Sequence, residues 1–277
     1  MAERNIRLVL AYDGTDFEGW QVQSRGRTVQ GVLEAGLERM HGHPVRVLAA
    51  GRTDSGVHAT GQVASFRSDI DSIPASRFRD AVNAYLPRDV RVLAADRVAW
   101  EFHARRSARQ RVYRYYTVCG PVLLPHLRAY RHWLRRGPDL ARLNELAAVL
   151  VGEHDFTCFS AEGDANHSKV RRVDVSAFHR EGDTLVYTVA ATSFLWKMVR
   201  TIMGTLFLLE EQGMGARELR LVMEAGSRAN AGATAPARGL FLERVVYDPG
   251  CTVEEEPVAE AESPGGLAGH GVLPPAP

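Results

Sequence analysis

A chain of 277 residues, 45% hydrophobic and 24% charged, is long enough to bury one large core or two ordinary ones, which excludes a disordered or fibrous protein. Its three cysteines, Cys119, Cys158 and Cys251, stand singly; this excludes a disulfide framework and a CxxC metal site and suits a reducing, cytoplasmic home. The formal charge of +1 hides an asymmetry: residues 251–277 hold five glutamates and no Lys or Arg, so the rest carries 34 basic against 28 acidic side chains, a modestly basic body suited to an acidic partner.

Charges in Met1-Ala2-Glu3-Arg4-Asn5-Ile6-Arg7 stand where a secretory leader needs its apolar region, so no targeting segment is expected. The most apolar stretch, residues 194–209, is broken by Lys197 and Arg200 and is too short for a bilayer span. In chain order, the alternation of Ile6, Leu8, Leu10 and Tyr12 predicts a strand, followed by an Asp13-Gly14 turn. Val29, Val32, Leu33, Leu37 and Met40 have helical spacing, with Thr28 as N-cap and Gly42 as stop. Strands over 45–49 and 62–66 flank a Gly-rich loop; a helix over 76–85 and a strand over 90–98 complete a β-α-β-β-α-β order. The order recurs: a strand over 110–119, a helix over 138–151, a hairpin over 171–191, a long helix over 194–212, a short one over 216–225 and a last strand over 240–247. The seam falls near residues 105–110, dividing the chain into 1–105 and 106–249. The Glu, Pro, Gly and Ala-rich remainder, 250–277, is expected to be a disordered tail.

Three features carry chemistry. The loop between the strands over 45–49 and 62–66, Ala50-Gly51-Arg52-Thr53-Asp54-Ser55-Gly56-Val57-His58-Ala59-Thr60-Gly61-Gln62, lifts Asp54 out at a strand end between glycines; an Asp that only caps its own turn is the structural alternative. Arg200 stands mid-way along a helix apolar over most of its circumference (Leu195, Trp196, Met198, Val199, Ile202, Met203, Leu206), with no acid three or four positions away. A guanidinium cannot shed its charge, so it needs an acidic partner from elsewhere, and Asp54 is the candidate; snorkelling to the surface is the alternative. Gly204, one turn on, would leave room above it. A guanidinium beside a carboxylate favours the ionised form, which is the state a nucleophile needs.

The third feature is the interleaving of arginines and aromatics from Trp100 to Tyr116. On a strand the period of two puts Arg111, Tyr113 and Tyr115 on one face and Arg114 with Tyr116 on the other. Rings that stack bases beside arginines that hold phosphates are what looped or single-stranded RNA asks for, an amphipathic strand with a charged outer face being the alternative. His41, His43, His58, His103, His154 and Asp155 show no paired-ligand spacing, so no metal is expected. GxGxxG at a strand-to-helix turn, GxxxxGK[ST] and GxSxG are absent, which disfavours dinucleotide, P-loop and α/β-hydrolase chemistry.

Taken together, Tyr12-Asp13-Gly14, Gly19-Trp20-Gln21, Gly51-Arg52-Thr53-Asp54-Ser55-Gly56-Val57-His58-Ala59, Phe102-His103-Ala104-Arg105, Arg111-Val112-Tyr113-Arg114-Tyr115, Phe194-Leu195-Trp196-Lys197-Met198-Val199-Arg200 and Thr234-Ala235-Pro236-Ala237-Arg238-Gly239-Leu240 closely resemble the tRNA pseudouridine synthase A family, over residues 5–249. The resemblance implies an α+β fold of two tandem ferredoxin-like halves sharing a curved, mainly antiparallel sheet, with a basic cleft between them. It implies isomerisation of uridine to pseudouridine in the anticodon arm of tRNA (positions 38 to 40 in tRNA numbering) by a cytoplasmic homodimer that needs no cofactor or metal. Carried over by residue, it implies Asp54 as nucleophile, Arg200 as its ion-pair partner, Tyr113 as the ring against the target base and Arg52 as a residue holding the flipped nucleotide. Ser55 stands where the family usually has alanine, and Thr201 where it usually has asparagine. A pure RNA-binding module with a structural Asp54 loop, and a hydrolase with an aspartate nucleophile, are the rival classes.

Overall fold

A computed structural model of the chain describes residues 3–252. The strand β1 (Arg4–Tyr12) buries Ile6, Leu8, Leu10 and Tyr12, as the alternation predicts. Helix α1 (Val29–His41) starts where Thr28 Oγ1 accepts from the Gly31 amide and stops where Gly42 turns left-handed at φ 76°. Strands β2 (Leu48–Ala49) and β3 (His58–Ser68), helix α2 (Phe78–Asn83) and strand β4 (Val90–Val98) complete the first unit. The second unit runs β5 (Ala108–Cys119), β6 (His132–Leu134), α3 (Leu140–Ala148), β7 (Gly152–Asp155), β8 (Val170–Glu181), β9 (Thr184–Ala191), α4 (Met198–Glu211), α5 (Ala216–Glu224) and β10 (Leu240–Tyr247).

All ten strands among the described residues join one sheet whose main path is β4-β1-β3-β10-β5-β9-β8-β7, with β2 on β3 and β6 on β5. Within it the pattern repeats: β4-β1-β3-β2 in the first unit and β10-β5-β9-β8 in the second are each antiparallel throughout. This is the strand order of the split βαβ ferredoxin-like unit, so the fold is the expected α+β tandem. The two units meet where the last strand, β10, lies parallel to β3, with Phe241 opposite His58 and Leu242 opposite Ala59. One core cluster runs from Ile6 and Leu33 in the first unit to Leu146, Tyr187 and Met203 in the second. Among the described residues no helix is long and apolar enough to cross a membrane.

Some elements depart from the sequence expectation. The strand expected over 45–49 shrinks to Leu48–Ala49, because the Val47 amide donates to the Glu34 carboxylate of α1 instead of a neighbouring strand. Conversely, β3 begins at His58, inside the expected loop, because its first residues pair with β10 from the other end of the chain. The helix expected over 194–212 begins only at Met198, and Trp196 lies outside it. Two short strands, β6 and β7, were not expected. The tail expected over 250–277 lies, from residue 253 on, outside the described residues.

Candidate active site

The loop carrying Asp54 is propped from beneath by the segment after β1. Tyr12 and Thr53 share a hydroxyl–hydroxyl hydrogen bond at 2.8 Å, and the Trp20 amide donates to the Thr53 carbonyl at 3.0 Å. Burial pushes the Tyr12 phenol up to about 12, so it stays protonated and able to donate. Gln62 donates to the Gly51 carbonyl, and the Val57 amide closes the loop on the Asp54 carbonyl. Two glycines allow this close approach: a Cβ on Gly14 would lie 2.1 Å from the Val57 carbonyl oxygen, and one on Gly19, at φ 94°, 2.7 Å from that of Thr53. Ser55 donates its hydroxyl to the Phe17 carbonyl at 3.2 Å and so serves the same prop.

Opposite, Arg200 stands in the first turn of α4 rather than mid-helix, and its Nη1 donates to Asp54 Oδ2 at 2.9 Å. The side chains keep only 16% and 18% of their exposure, so the pair is mostly withdrawn from water yet open on one side. Arg200 Nε donates to the Ala235 carbonyl at 2.8 Å, while the Ala235 amide donates back to the Arg200 carbonyl at 3.0 Å. Gly204 does not leave empty room above the arginine as expected; it admits the loop that clamps it, since a Cβ there would lie 1.7 Å from the Ala233 carbonyl oxygen. Thr201 is fully buried and meets the hydroxyl of Thr234 in that loop at 3.4 Å.

A cleft of about 1370 Å³ opens over this pair, with walls from both units. Asp54, Arg200, Tyr113 and Arg52 all line it. Tyr113, on β5, is 8% exposed and stands edge-on to Phe194 with ring centroids 5.1 Å apart. Burial, with Tyr12 and the Asp54 carboxylate nearby, raises its phenol well above the usual tyrosine range, so the ring is neutral at any working pH. Arg52 is exposed to the cleft, as are Arg46, Arg105 and Arg106. Lys197 and Arg200 add to them, and only Glu18, Asp54 and Asp164 supply negative charge to the lining, so the cleft is basic. His103 also lines it, its imidazole pushed down by burial and by Arg106, and therefore neutral near pH 7.

Arg111 departs from its expected part. It shares a buried face with Tyr113 and Tyr115, but its guanidinium holds no outside group. All five donors go to backbone carbonyls: Nε and Nη2 to Ala50, Nη2 to Arg105, and Nη1 to Ala108 and Thr192, at 2.6–3.3 Å. It ties the root of the Asp54 loop to the end of β9. Tyr115 is likewise structural, fully buried with its hydroxyl donating to Pro236. Alternation alone cannot separate Tyr115 from Tyr113, which differs in lining the cleft.

Similarity to known proteins agrees with the geometry. A family model described as tRNA pseudouridine synthase matches residues 8–105 and 146–248, more than half of the chain. The chain belongs to the tRNA pseudouridine synthase family. A tRNA pseudouridine synthase A from Treponema denticola is 46% identical over 250 residues, covering 88% of this chain and 93% of that protein. Proteins of the same description from Lysinibacillus sphaericus and Halalkalibacterium halodurans are 40% and 41% identical, covering 88% and 87% of this chain and 100% and 92% of theirs. The residues that build the cleft floor, 50–57 and 103–105, fall inside the first matched segment of the family, and Arg200 and Ala235 inside the second.

Proposed function

We propose that the cleft converts uridine to pseudouridine in the anticodon arm of tRNA, at positions 38 to 40, with Asp54 as the nucleophile. The observation that carries this reading is a carboxylate paired to a half-buried guanidinium at 2.9 Å on the floor of a basic cleft, beside a neutral aromatic ring. Extruding the target base costs a few kcal/mol, which stacking on Tyr113 and contacts from the cleft arginines to phosphates offset. Arg52, which has no hydrogen-bond or ion-pair partner among the described residues, is placed to hold the flipped nucleotide. Arg200 keeps the Asp54 carboxylate aimed into the cleft through its clamp on Ala235.

The reaction balances without an oxidant or reductant. The N1–C1′ bond breaks, the uracil turns while held in the site, a C5–C1′ bond forms, the C5 proton leaves to water and N1 takes up a proton in its place. Nothing in this sequence of bonds calls for a cofactor or a metal. The division of the chain near residues 105–110 follows from the same reading, because Asp54 and Arg52 come from one unit and Tyr113 and Arg200 from the other. A cytoplasmic homodimer completes the proposal.

Tritium release from tRNA labelled at uridine C5 tests the reaction, and transcripts with uridine replaced singly at positions 38, 39 and 40 test the location. Release that tracks those three uridines is expected. Release from other uridines, with none from these, would overturn the location while leaving the chemistry standing.

A further inference from the structure

One conspicuous side chain in the cleft has no part in the scheme above. Trp196 is 48% exposed, and of the exposed aromatics among the described residues, Tyr85, Trp100, Tyr130 and Trp196, it alone lines the cleft. A single exposed indole is ordinary on a protein surface; the way this one is held is not. The next residue, Lys197, is the one non-glycine with positive φ (60°) among the described residues, a conformation that costs an L-residue roughly 1 kcal/mol or more and persists only where its surroundings enforce it.

The enforcement comes from Asp164, whose side chain is 1% exposed and accepts from the Trp196 amide at 2.6 Å. The Ala161 amide donates to the Trp196 carbonyl at 2.9 Å, so both backbone groups of Trp196 are pinned. Burial alone would raise the Asp164 carboxyl, but the donors from Asn166, Trp196 and Lys169 outweigh it and hold it far below the usual carboxylate range. A buried, ionised carboxylate and a strained turn thus present an indole to the cleft. The Lys197 ammonium lies over its ring, 4.9 Å from the centroid, a pairing of cation and aromatic ring that single-stranded nucleic-acid sites combine. Phe194, two residues away, is the ring edge-on to Tyr113, and two residues of extended chain span at most about 7 Å.

We propose that Trp196 is a stacking platform for an unpaired base of the RNA neighbouring the nucleotide held at Asp54 and Tyr113, with Lys197 beside it for that nucleotide's phosphate. The inference rests on the RNA-isomerase reading and assigns a second base subsite to it. Trp196 touches no reacting atom, so it acts in binding rather than in the chemical step.

The test uses the full chain with Trp196→Ala, Trp196→Phe and Trp196→Leu, read by binding to an unmodified tRNA transcript, by KM and kcat for tritium release, and by tryptophan emission. Removing the ring is expected to raise Kd and KM about 10-fold, as loss of one base stack does, with kcat changed far less and an unchanged thermal midpoint. Phenylalanine should restore most of the affinity and leucine should not. The emission present in wild type and missing from Trp196→Phe should be quenched by RNA. Wild-type affinity in Trp196→Ala, equal rescue by leucine and phenylalanine, or an unquenched Trp196 would each overturn the platform. If wild-type protein releases no tritium, the isomerase reading falls, whereas the binding and quenching results still decide whether Trp196 stacks on RNA.

Discussion

Arg200 reaches Asp54 across 146 residues of chain, Nη1 to Oδ2 at 2.9 Å, while the same guanidinium's Nε is held by the Ala235 carbonyl at 2.8 Å. One side chain therefore joins the carboxylate of the first unit to a loop of the second, and its fixed fork serves both at once. Replacing it with methionine keeps much of the apolar stem and leaves Asp54 without its cation. We expect kcat to fall about 100-fold or more, the scale on which one preorganised electrostatic contact in an active site counts. Lysine keeps the charge but cannot fork, and should recover only part of the rate. Single-turnover tritium release on both variants measures this; wild-type rates in a folded Arg200→Met protein would show that the pair has no part in turnover.

Gly204 offers a subtler route to the same pair. A methyl at this position would lie 1.7 Å from the Ala233 carbonyl oxygen, so the 233–235 loop must move and carry the Ala235 carbonyl off Arg200. Gly204→Ala should cost about 1–3 kcal/mol of stability, the usual range for overpacking, and should lose activity at temperatures where the protein remains folded. Activity that follows the folded fraction alone would mean the clamp does not tune the site.

Arg111 is expected to matter for folding more than for RNA. Methionine there strips donors from four carbonyls, of which Ala50 and Thr192 lie on different units. Each buried acceptor left unpaired costs about 1–3 kcal/mol, so urea unfolding of Arg111→Met should show a loss of several kcal/mol. The salt dependence of RNA binding by the folded fraction should be unchanged, because the Arg111 donors are already taken by backbone carbonyls.

His132 sets an expected acid limb. Burial, aided by Arg238, holds its imidazole at about 4, against 6.5 when unburied. Between those values the unfolded chain binds a proton that the folded one does not, so stability falls as pH drops from 6.5 toward 4 and this contribution is intact above 6.5. His132→Phe fits beside the rings of Tyr115 and Phe207, whose centroids lie 6.0 and 5.9 Å away. Its stability should fall less steeply with acid, by up to about 1.4 kcal/mol per pH unit, as measured by denaturant melts across that window.

Much of the fold was legible because its signals are local. The alternation in β1, the Thr28 cap and Gly42 stop of α1, and the repeated β-α-β-β-α-β order all lie within short windows. What was illegible depends on distant partners. β3 starts early because β10 pairs with it, and α4 starts late because Asp164 captures the Trp196 amide. In the site, an arginine in an apolar surrounding pointed to a missing carboxylate, and the geometry places Asp54 there. The carbonyl of Ala235 and the five-donor knot of Arg111 are backbone contacts, to which side-chain patterning is blind.

The most direct measurement of the central claim is tritium release from C5-labelled tRNA by wild-type protein and by Asp54→Ala, with RNA binding followed in parallel. Release by wild type, none above background by Asp54→Ala, and comparable RNA affinity for both is the expected result. Release by Asp54→Ala at the wild-type rate would contradict the assignment of Asp54 as nucleophile and return its loop to a structural role.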